Sequence, residues 1–404
     1  MDERTRPVRT APLRHVADVR TSSVDKHTRD GELSVQLCNY TDVYRSDQVR
    51  PTPDLMRATA TSDEIARFRL EVGDSVLTKD SEDPNDIGIS AHVADTASDF
   101  VCGYHLAIAR PSPGTHPRYL TWALRSRPVL DHFSNHASGI SRYGLTTAGL
   151  RAAPVPWHDE LEQRRIADFL DDRVARIDQI IAARETQLQA LEPLRRAAVV
   201  TALNDELRVP LRRLLSRIVT GGTPSAEMDD PSGLSWYSPG GFSPALTLGD
   251  PTRRVSPEDA VLFRAQSVLI VGIGATAGKV AWLDHRGSGN QQLTCLEHDP
   301  QRAEGRFLLH QLDAMRDGIL RQAPLATLPI LNNEFVKSID VAVPELSQQR
   351  RLARQWDARL SEDTATAGSL TRSIALLGEC KQSLITAAVT GEIDVTTAGS
   401  GIPG

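Results

Sequence analysis

A helical sequence that occurs twice, at one fixed spacing, constrains this chain more than any other feature. The stretch DELEQRRIADFLDDRVARIDQ (residues 159–179) has a counterpart in ELSQQRRLARQWDARLSEDT (residues 345–364). At an offset of 186 residues Gln163 falls on Gln349, and the agreement continues in the same register as far as the counterpart pair RRAAVVTALNDEL and KQSLITAAVTGEI. Chance similarity does not hold one offset over about sixty residues, so we interpret the match as an internal duplication.

Both copies have the periodicity of a long amphipathic helix. Apolar residues advance by alternating threes and fours, as Ile166, Leu170, Val174, Ile177, Ile181, Leu188, Leu191 and Ala198 in the first copy, and as Leu352, Trp356, Leu360, Ala367, Leu370, Ile374, Leu377 and Leu384 in the second. This heptad spacing predicts two long helices, and because each apolar stripe needs a partner, we expect the two copies to pack on each other. Pro193 is expected to kink the first helix and Gly378 to weaken the second. The alternative is two unrelated surface helices on separate domains.

The regions outside the helices match one another only loosely. They carry short strand-like runs, and FVCGYHLAIA (residues 100–109) has a counterpart in NQQLTCLEH (residues 290–298). The sequence therefore predicts an α+β protein in which two mixed α/β domains are separated by two long antiparallel coiled-coil helices, with a pseudo-two-fold internal repeat. The predicted boundaries are 1–155 for the first domain, 156–207 for the first helix, 208–343 for the second domain, 344–393 for the second helix and 394–404 for a flexible tail.

Composition excludes several classes of protein. With 40% hydrophobic residues in 404 the chain has ample material for packed cores, and no apolar run is long enough to span a bilayer. Four cysteines, Cys38, Cys102, Cys295 and Cys380, lie far apart and form no zinc-binding or disulfide pattern. The N-terminus has no apolar core typical of a signal peptide. We therefore expect a soluble, cytoplasmic protein with no metal site, and a net charge of −6 means that any DNA contact needs local basic faces.

One glycine-rich stretch resembles a nucleotide-binding loop. GIGATAGK (residues 272–279) follows the apolar run SVLIV and partly fits the dinucleotide fingerprint. Such a loop must open a helix, whereas the following KVAWLD has the pattern of a strand. Three interpretations stay open: a glycine-rich hairpin, a hairpin presented to DNA, and a nucleotide site.

The sequence has no recognisable catalytic motif. It contains neither an FxGxG-like loop nor a (D/N)PP(Y/F) tetrad of methyltransferases, and no GxSxG nucleophile elbow. The eleven histidines are scattered. These observations favour a binding protein with no catalytic residues over an enzyme.

The helix entries identify a family resemblance that covers nearly the whole chain. VPWHDELEQRRI (residues 155–166), its second form VAVPELSQQRRL (residues 341–352), and the helix exits AVVTALNDEL and LITAAVTGEI resemble the specificity subunit of type I restriction–modification systems. The first entry departs from the usual proline-rich run, so we expect a slightly altered turn there with the same role.

This resemblance implies a function in DNA recognition. The two domains would be target-recognition domains, each reading one half of a split, asymmetric sequence in double-stranded DNA. The helices would form a spacer on which two modification (methyltransferase) subunits and then the restriction (translocase and nuclease) subunits dock. No cofactor would belong to this chain, since S-adenosylmethionine, ATP and Mg²⁺ would belong to the partner subunits. The apolar helix positions given above would serve helix packing and subunit docking.

Small polar and basic residues on loops are the candidates for DNA contacts, because such side chains suit phosphates and base edges. In the first domain they are Lys79, Asp80, Ser81, Ser141, Arg142 and Tyr143, and in the second Thr220, Gly221, Gly222, Thr223, Ser225, Thr276, Lys279, Gln291 and Gln292. Two competing functions remain. One is a coiled-coil scaffold whose domains bind proteins without DNA specificity, and the other is a nucleotide-dependent enzyme built on GIGATAG.

Overall fold

The structure, a computed structural model, describes residues 8–223, 233–323 and 329–396. The chain divides into two compact units, the first containing residues up to 182 together with those from 374 onward, and the second containing residues 183–373. Each unit therefore combines a domain with the first part of the long helix that follows it and the last part of the other long helix. The predicted class, helices and strands mixed in two domains with two long helices, is confirmed.

The first unit contains twelve strands and six short helices among its described residues. The strands are β1 (Arg9–Pro12), β2 (Ala17–Thr21), β3 (Leu33–Cys38), β4 (Gln48–Val49), β5 (Met56–Ala60), β6 (Ser75–Thr78), β7 (Asp80–Ser81), β8 (Ser90–Val93), β9 (Phe100–Cys102), β10 (Leu106–Pro111), β11 (Tyr143–Gly144) and β12 (Pro154–Trp157). The helices are α1 (Leu13–Val16), α2 (Tyr40–Arg45), α3 (Ser62–Phe68), α4 (Pro117–Leu124), α5 (Arg127–His136) and α6 (Thr147–Arg151). The long helix α7 (Glu160–Ala202) follows.

The second domain has fewer elements in a similar order. Its strands are β13 (Arg208–Pro210), β14 (Leu215–Thr220), β15 (Leu234–Tyr237), β16 (Arg253–Val255), β17 (Ser267–Val271), β18 (Val280–Leu283), β19 (Gly287–Gly289), β20 (Leu293–His298) and β21 (Asp340–Ala342). Its helices are α8 (Gly305–Ala314), α9 (Arg316–Gln322) and α10 (Asn333–Ser338), with 3₁₀ turns at Leu211–Arg213 and Pro239–Gly241. The long helix α11 (Leu346–Val389) follows.

The two domains share their sheet topology. The main sheet has the order β2-β10-β6-β8-β4 in the first domain and β14-β20-β17-β18 in the second. A smaller sheet, β5-β3-β9 or β16-β15-β19, pairs its central strand antiparallel on one side and parallel on the other in both cases. A two-stranded ribbon, β1-β12 or β13-β21, joins the two ends of each domain. The duplication predicted from the helices therefore extends through both domains.

The central strands are continuously apolar because both of their faces are covered. Every residue of β17 is buried, and so is every residue of β6. Such strands form where helices cover one face of a sheet and a second layer covers the other. In each domain a helix after the last strand of the main sheet, α4 or α8, supplies part of that cover. The run SVLIV and the following KVAWLD form β17 and β18, as their sequences predict.

The long helices extend over 43 and 44 residues and lie within the predicted ranges 156–207 and 344–393. Pro193 lies inside α7, which does not end there, and Gly378 lies inside α11. The apolar stripes are most deeply buried where each helix begins, at Ile166, Leu170, Val174, Ile177, Leu352, Trp356 and Leu360. Further along they are half-buried at Ile181, Leu188, Leu191, Ile374 and Leu377, whereas Leu370 is buried.

One position of the predicted stripe is wrong. Ala198 is exposed, and Val199 and Leu203 are buried in its place. Both of these residues belong to the core of the second domain together with Leu211. The end of α7 therefore buries the side that faces this domain, and the periodicity of a helix–helix stripe does not apply there.

In the first unit the two long helices run antiparallel. His158, just before α7, shares a hydrogen bond of 2.8 Å between its Nε2 and the carbonyl oxygen of Val389. Further along, Asp178 accepts hydrogen bonds of 2.8 and 2.9 Å from the Nζ of Lys381. As the residue number rises along α7 it falls along α11, which establishes the antiparallel direction.

Gln163, one of the residues repeated at the offset of 186, fastens α7 to the first domain. Its side chain is fully buried. Its Oε1 accepts a hydrogen bond of 2.7 Å from the backbone N–H of His116, and its Nε2 donates to the carbonyl oxygens of His158 and Gly114 at 2.8 and 3.3 Å. A single amide thus satisfies three backbone groups where the domain meets the helix.

Gln349 makes the corresponding bonds in the second domain. It accepts from the N–H of Glu304 at 3.0 Å and donates to the carbonyl oxygens of Pro344 and Arg302 at 2.9 and 3.3 Å. Pro344 occupies the place of His158 in the first copy, so the departure in the first helix entry leaves this role intact. The glutamine repeats in the sequence because the junction repeats in the structure.

The repeated aspartates Asp171 and Asp357 form a second attachment about two turns further along each helix. Asp171 accepts hydrogen bonds from Arg118 and, at 2.7 Å, from the Nε1 of Trp122, both on α4. Asp357 is placed in the same way against Arg306 and His310 on α8, at 2.5 and 2.7 Å. Burial alone would raise the pKa of Asp357, but the hydrogen bonds from His310 and Arg306 outweigh it and lower the pKa.

Candidate nucleic-acid interface

Two four-residue turns occupy equivalent places in the two domains. The turn Gly103 to Leu106 leads into β10, and the turn Asn290 to Leu293 leads into β20; the last residue of each turn is the first of the strand. In each turn the N–H of the last residue donates to the carbonyl oxygen of the first at 3.0 Å. The N–H of the first residue of each turn donates to the last residue of the central strand of the smaller sheet. The acceptor is the carbonyl oxygen of Cys38 at 2.8 Å in the first domain and that of Tyr237 at 3.0 Å in the second. The backbone is thus held in the same way in both copies.

The segment after the neighbouring strand of the main sheet also repeats. The N–H of Lys79, after β6, donates to the carbonyl oxygen of His105 at 3.0 Å, and that of Gly272, after β17, donates to Gln292 at 2.7 Å. The carbonyl oxygens of Lys79 and Gly272 accept from the N–H of Leu145 and Leu331 at 2.8 and 2.7 Å. One edge of each main sheet therefore brings together three segments that are distant in sequence.

In the first domain this edge joins the two groups of predicted DNA contacts. Ser81 pairs with Tyr143 and Asp80 with Gly144, as β7 and β11. Lys79, Asp80 and Ser81 thus lie beside Tyr143 and the exposed Ser141 and Arg142, although about sixty residues separate the groups in the chain. Their role in DNA binding stays a prediction.

The side chains at this edge form a polar and aromatic cluster. Asp80 Oδ2 lies 3.1 Å from the Nζ of Lys79 and 3.0 Å from the Nδ1 of His105. The same Nδ1 is 3.2 Å from a guanidinium nitrogen of Arg142. One ring nitrogen cannot donate and accept at the same time. Nδ1 therefore donates to Asp80 when it carries a proton and accepts from Arg142 when it does not. The Lys79 ammonium lies 4.4 Å from the centre of the Tyr104 ring.

Several residues of this cluster carried no signal in the sequence. Tyr40 and Tyr104 each pack edge-on against His105, and both rings are more than 40% exposed. Ile140, on the segment before Tyr143, is almost fully exposed. Exposed aromatic rings beside cations suit the stacking and edge contacts that nucleic acid offers. Aligning GYHL with NQQL, within the loose match noted above, could have singled out Tyr104 and His105.

In the second domain the equivalent edge is built from amides and hydroxyls. The carbonyl oxygen of the Gln291 side chain accepts a hydrogen bond of 2.9 Å from the Thr223 hydroxyl. Gln292 accepts from the Nδ2 of Asn290 at 2.9 Å and donates to the carbonyl oxygen of Ile273 at 3.3 Å. A cavity of about 360 Å³ beside them is lined by Thr220, Ile273, Gln291, Thr294, Asn332 and Asn333 among others.

Of the predicted segment TGGTPS, residues 220–223 lie against this turn. Thr220 ends β14, and its hydroxyl bonds Thr294 and Asn333, each at 3.0 Å. A Cβ on Gly221 would lie 2.1 Å from the carbonyl oxygen of Gly289, so glycine is needed for the close passage of the two backbones. Gly222 donates to the same oxygen at 2.9 Å. Ser225 lies outside the described residues.

Two other predicted contacts, Thr276 and Lys279, are part of the connection between β17 and β18. These strands form an antiparallel hairpin, so GIGATAGK connects two strands and does not open a helix as a dinucleotide-binding loop must. Its presentation to DNA stays a prediction. The exposed Lys279 lines a different, small cavity of about 70 Å³ with Arg195, Arg196 and Arg316. It is therefore not part of the cluster around Gln291.

Neither a metal-binding cluster nor a membrane-spanning helix occurs among the described residues. Residues 8–223, 233–323 and 329–396 contain no group of three or more His, Cys, Asp or Glu side chains that could hold a metal ion. Within the same ranges, no helix combines the length and the apolar character that crossing a membrane requires. All four cysteines are free; Cys38, Cys102 and Cys295 are buried and Cys380 is exposed.

Comparison with known proteins gives matches to one family. The family model for the type I restriction modification DNA specificity domain matches residues 217–358. The specificity subunit of the type I restriction enzyme EcoBI from Escherichia coli is 24% identical over 31% of this chain and 26% of its own length. That of StySPI from Salmonella potsdam is 20% identical over 80% of this chain and 76% of its own length.

The fold agrees with these sequence matches. A chain of a solved type I R-M system, described in terms of complex assembly and conformational transition, is 17% identical and superposes with a TM-score of 0.75. The superposition covers 97% of this chain and 100% of the other. At this identity the likeness concerns the fold alone. In sequence, this chain matches a type I restriction modification DNA specificity domain over residues 217–358 and is similar to specificity subunits of type I restriction enzymes.

Proposed function

We propose that this chain selects the DNA sequence on which a type I restriction–modification complex acts. Each domain reads one half-site of a split, asymmetric target in double-stranded DNA. The chain itself carries no catalytic step. Two modification subunits and the restriction subunits dock on it, and they hold S-adenosylmethionine, ATP and Mg²⁺.

One observation supports this function above the others. The two domains place equivalent turns at the same edge of the same sheet, held by matching backbone hydrogen bonds, but equip them with different side chains. The first turn carries Tyr104 and His105 and the second Gln291 and Gln292, and the neighbouring segments after β6 and β17 carry Lys79 and Asp80 or Gly272 and Ile273. Equal geometry with unequal chemistry suits two readers of one duplex whose target halves differ, because base identity is distinguished by the donors and acceptors presented to it.

The local charge pattern is compatible with this role. The chain is acidic overall, so attraction to phosphates must come from side chains at the edges themselves. Lys79 and the exposed Arg142 provide positive charge in the first domain. In the second, hydroxyl and amide groups dominate the turn, and such groups hydrogen-bond to phosphates and base edges alike.

An exchange of domains tests the proposal. The full chain, assembled with its modification subunits, is used to select bound sequences from a randomised double-stranded DNA library. We expect a motif with two specified halves. Replacing residues 11–150 by the equivalent domain of a relative should alter one half and leave the other unchanged. A change in both halves, or an assembled complex that selects no sequence, would contradict the proposed function.

A further inference from the structure

The equivalence of the two turns allows single residues to be assigned within the two readers. We propose that Gln291 and Tyr104, the second residues of these turns, contact base edges at corresponding positions of the two half-sites, and that Gln291 recognises an A·T base pair. This inference rests on the proposed function and names the residue in each domain that contacts a base, and the base pair that Gln291 recognises.

The backbone bonds fix the correspondence between the two residues. Each turn closes with a hydrogen bond of 3.0 Å and follows a strand that is parallel to the central strand of the smaller sheet. Counting from the first residue of each turn, Tyr104 corresponds to Gln291 and His105 to Gln292. Both second residues are exposed, whereas both third residues are partly buried. The outward-pointing residue is therefore the same one in both copies.

The Gln291 side chain is oriented before any ligand binds. The Thr223 hydroxyl holds its carbonyl oxygen at 2.9 Å, and no described residue accepts a hydrogen bond from its Nε2. That oxygen retains a second lone pair, so the amide can still accept one hydrogen bond and donate another. A glutamine amide matches adenine in the major groove, because it accepts from the N6 amino group and donates to N7.

Gln292 has a different role, because both ends of its amide are engaged. Its oxygen accepts from Asn290 and its nitrogen donates to Ile273. It is a positioning residue that ties the turn to the segment after β17. In the first domain Tyr104 is held between the Lys79 ammonium and the edge of His105. A phenol ring cannot reproduce the paired donor and acceptor of an amide, so the two half-sites should differ at the corresponding base pair.

The test replaces one donor of Gln291 by an acceptor. Gln291→Glu, in the full chain assembled with its modification subunits, is compared with the natural chain on the randomised DNA library. We expect one base pair of one half-site to lose its A·T preference by roughly five- to a hundredfold in favour of C·G, because a carboxylate accepts from cytosine N4. All other positions of the motif should remain.

Gln301→Glu is the matched control. Gln301 is also exposed, but it follows β20, whereas Gln291 precedes it, so it lies at the opposite end of the same strand. The same charge change there should leave the motif intact. Tyr104→Gln is the complementary variant, and it should alter one base pair of the other half-site only.

The outcomes separate this inference from the proposed function. If the natural chain selects a two-part motif that Gln291→Glu leaves unchanged, the base assignment is wrong and the proposed function stands. Uniform weakening at every base pair would also overturn it, since that is the effect of a lost phosphate contact. Should Gln291→Glu abolish binding, Gln291→Ala decides, because a base-reading residue loses discrimination at one position only. A natural chain that selects no sequence refutes both proposals.

Discussion

At the scale of single residues, Gln163 and Gln349 show why identity survives in some positions of a duplicated chain. Each amide is buried where a domain joins its helix and satisfies backbone groups on both sides. No other side chain of similar length offers an acceptor and two donors without charge. The junction has the same backbone in both copies, so it needs the same residue in both.

Replacing Gln349 by alanine should therefore destabilise the second unit. Loss of its amide leaves buried N–H and C=O groups without partners, which costs on the order of 2–4 kcal/mol in unfolding free energy. Gln355→Ala is the control, because Gln355 is exposed on the same helix. Urea unfolding, followed by circular dichroism, measures the unfolding free energy of both variants. Equal stability of the two variants would show that the buried amide contributes nothing.

The lowered pKa of Asp357 predicts a dependence on pH. A carboxyl group whose pKa is lower in the folded state stabilises the fold above its unfolded pKa of about 3.9, and this contribution disappears as the pH falls through the folded value. The stability difference between the natural chain and Asp357→Asn should therefore be constant at neutral pH, shrink once the pH falls below about 5, and be lost below the folded pKa. Glu362→Gln, at an exposed position of the same helix, should show no such trend. A constant difference for Asp357→Asn would refute the effect of its ion pair.

The sequence predicted part of the candidate site at this scale. Lys79–Ser81 and Ser141–Tyr143 were recognisable because turn-forming and basic residues follow a strand or interrupt an apolar pattern. Tyr40, Tyr104 and His105 were not recognisable in this way. An aromatic residue in a short polar run gives the same sequence pattern whether its side chain lies in the core or at the surface. Only the pairing of β3 with β9 and of β6 with β10 brings these rings beside Lys79.

At the scale of elements, the long helices were predictable and the surfaces they bury were less so. Heptad spacing identified both helices because an uninterrupted stripe over many turns has no other common cause. It also predicted that the two helices pack on each other. In the structure, Ile166, Leu170 and Val174 belong to the core of the first domain as well. A stripe indicates that a face is buried but does not identify what covers it.

The two parts of the stripe should consequently differ in their contribution to stability. Leu170 is fully buried between α7 and the first domain, whereas Leu188 is only half-buried. We expect Leu170→Ala to cost about 2–5 kcal/mol and Leu188→Ala about 1 kcal/mol in unfolding free energy. Chemical denaturation of the two variants provides the comparison. A larger cost at Leu188 would mean that the middle of the helix carries more of the stability than the domain junction.

At the scale of the whole molecule, duplication allows both domains to have one way of attaching to a helix while their exposed edges differ. Each domain is attached to the long helix that follows it by one glutamine and one aspartate, which are Gln163 and Asp171 in the first copy and Gln349 and Asp357 in the second. The hydrogen-bond partners of these four side chains include no residue of the exposed turns, so the turns can differ while the attachments stay the same. Exchange of a domain should consequently change what is recognised without changing how the chain is assembled.

Under the proposed function the helix pair also sets the gap between half-sites. Seven residues added after Thr186 in α7 and seven after Arg372, the matching position of α11, would lengthen both helices by about 10 Å and return the stripe nearly to its original face. The gap in the selected motif should widen by roughly three base pairs, at about 3.4 Å for each. Insertion in one helix alone is the control, because it shifts the antiparallel register and should prevent assembly. If the double insertion assembles and the gap stays the same, the helices do not set the spacing.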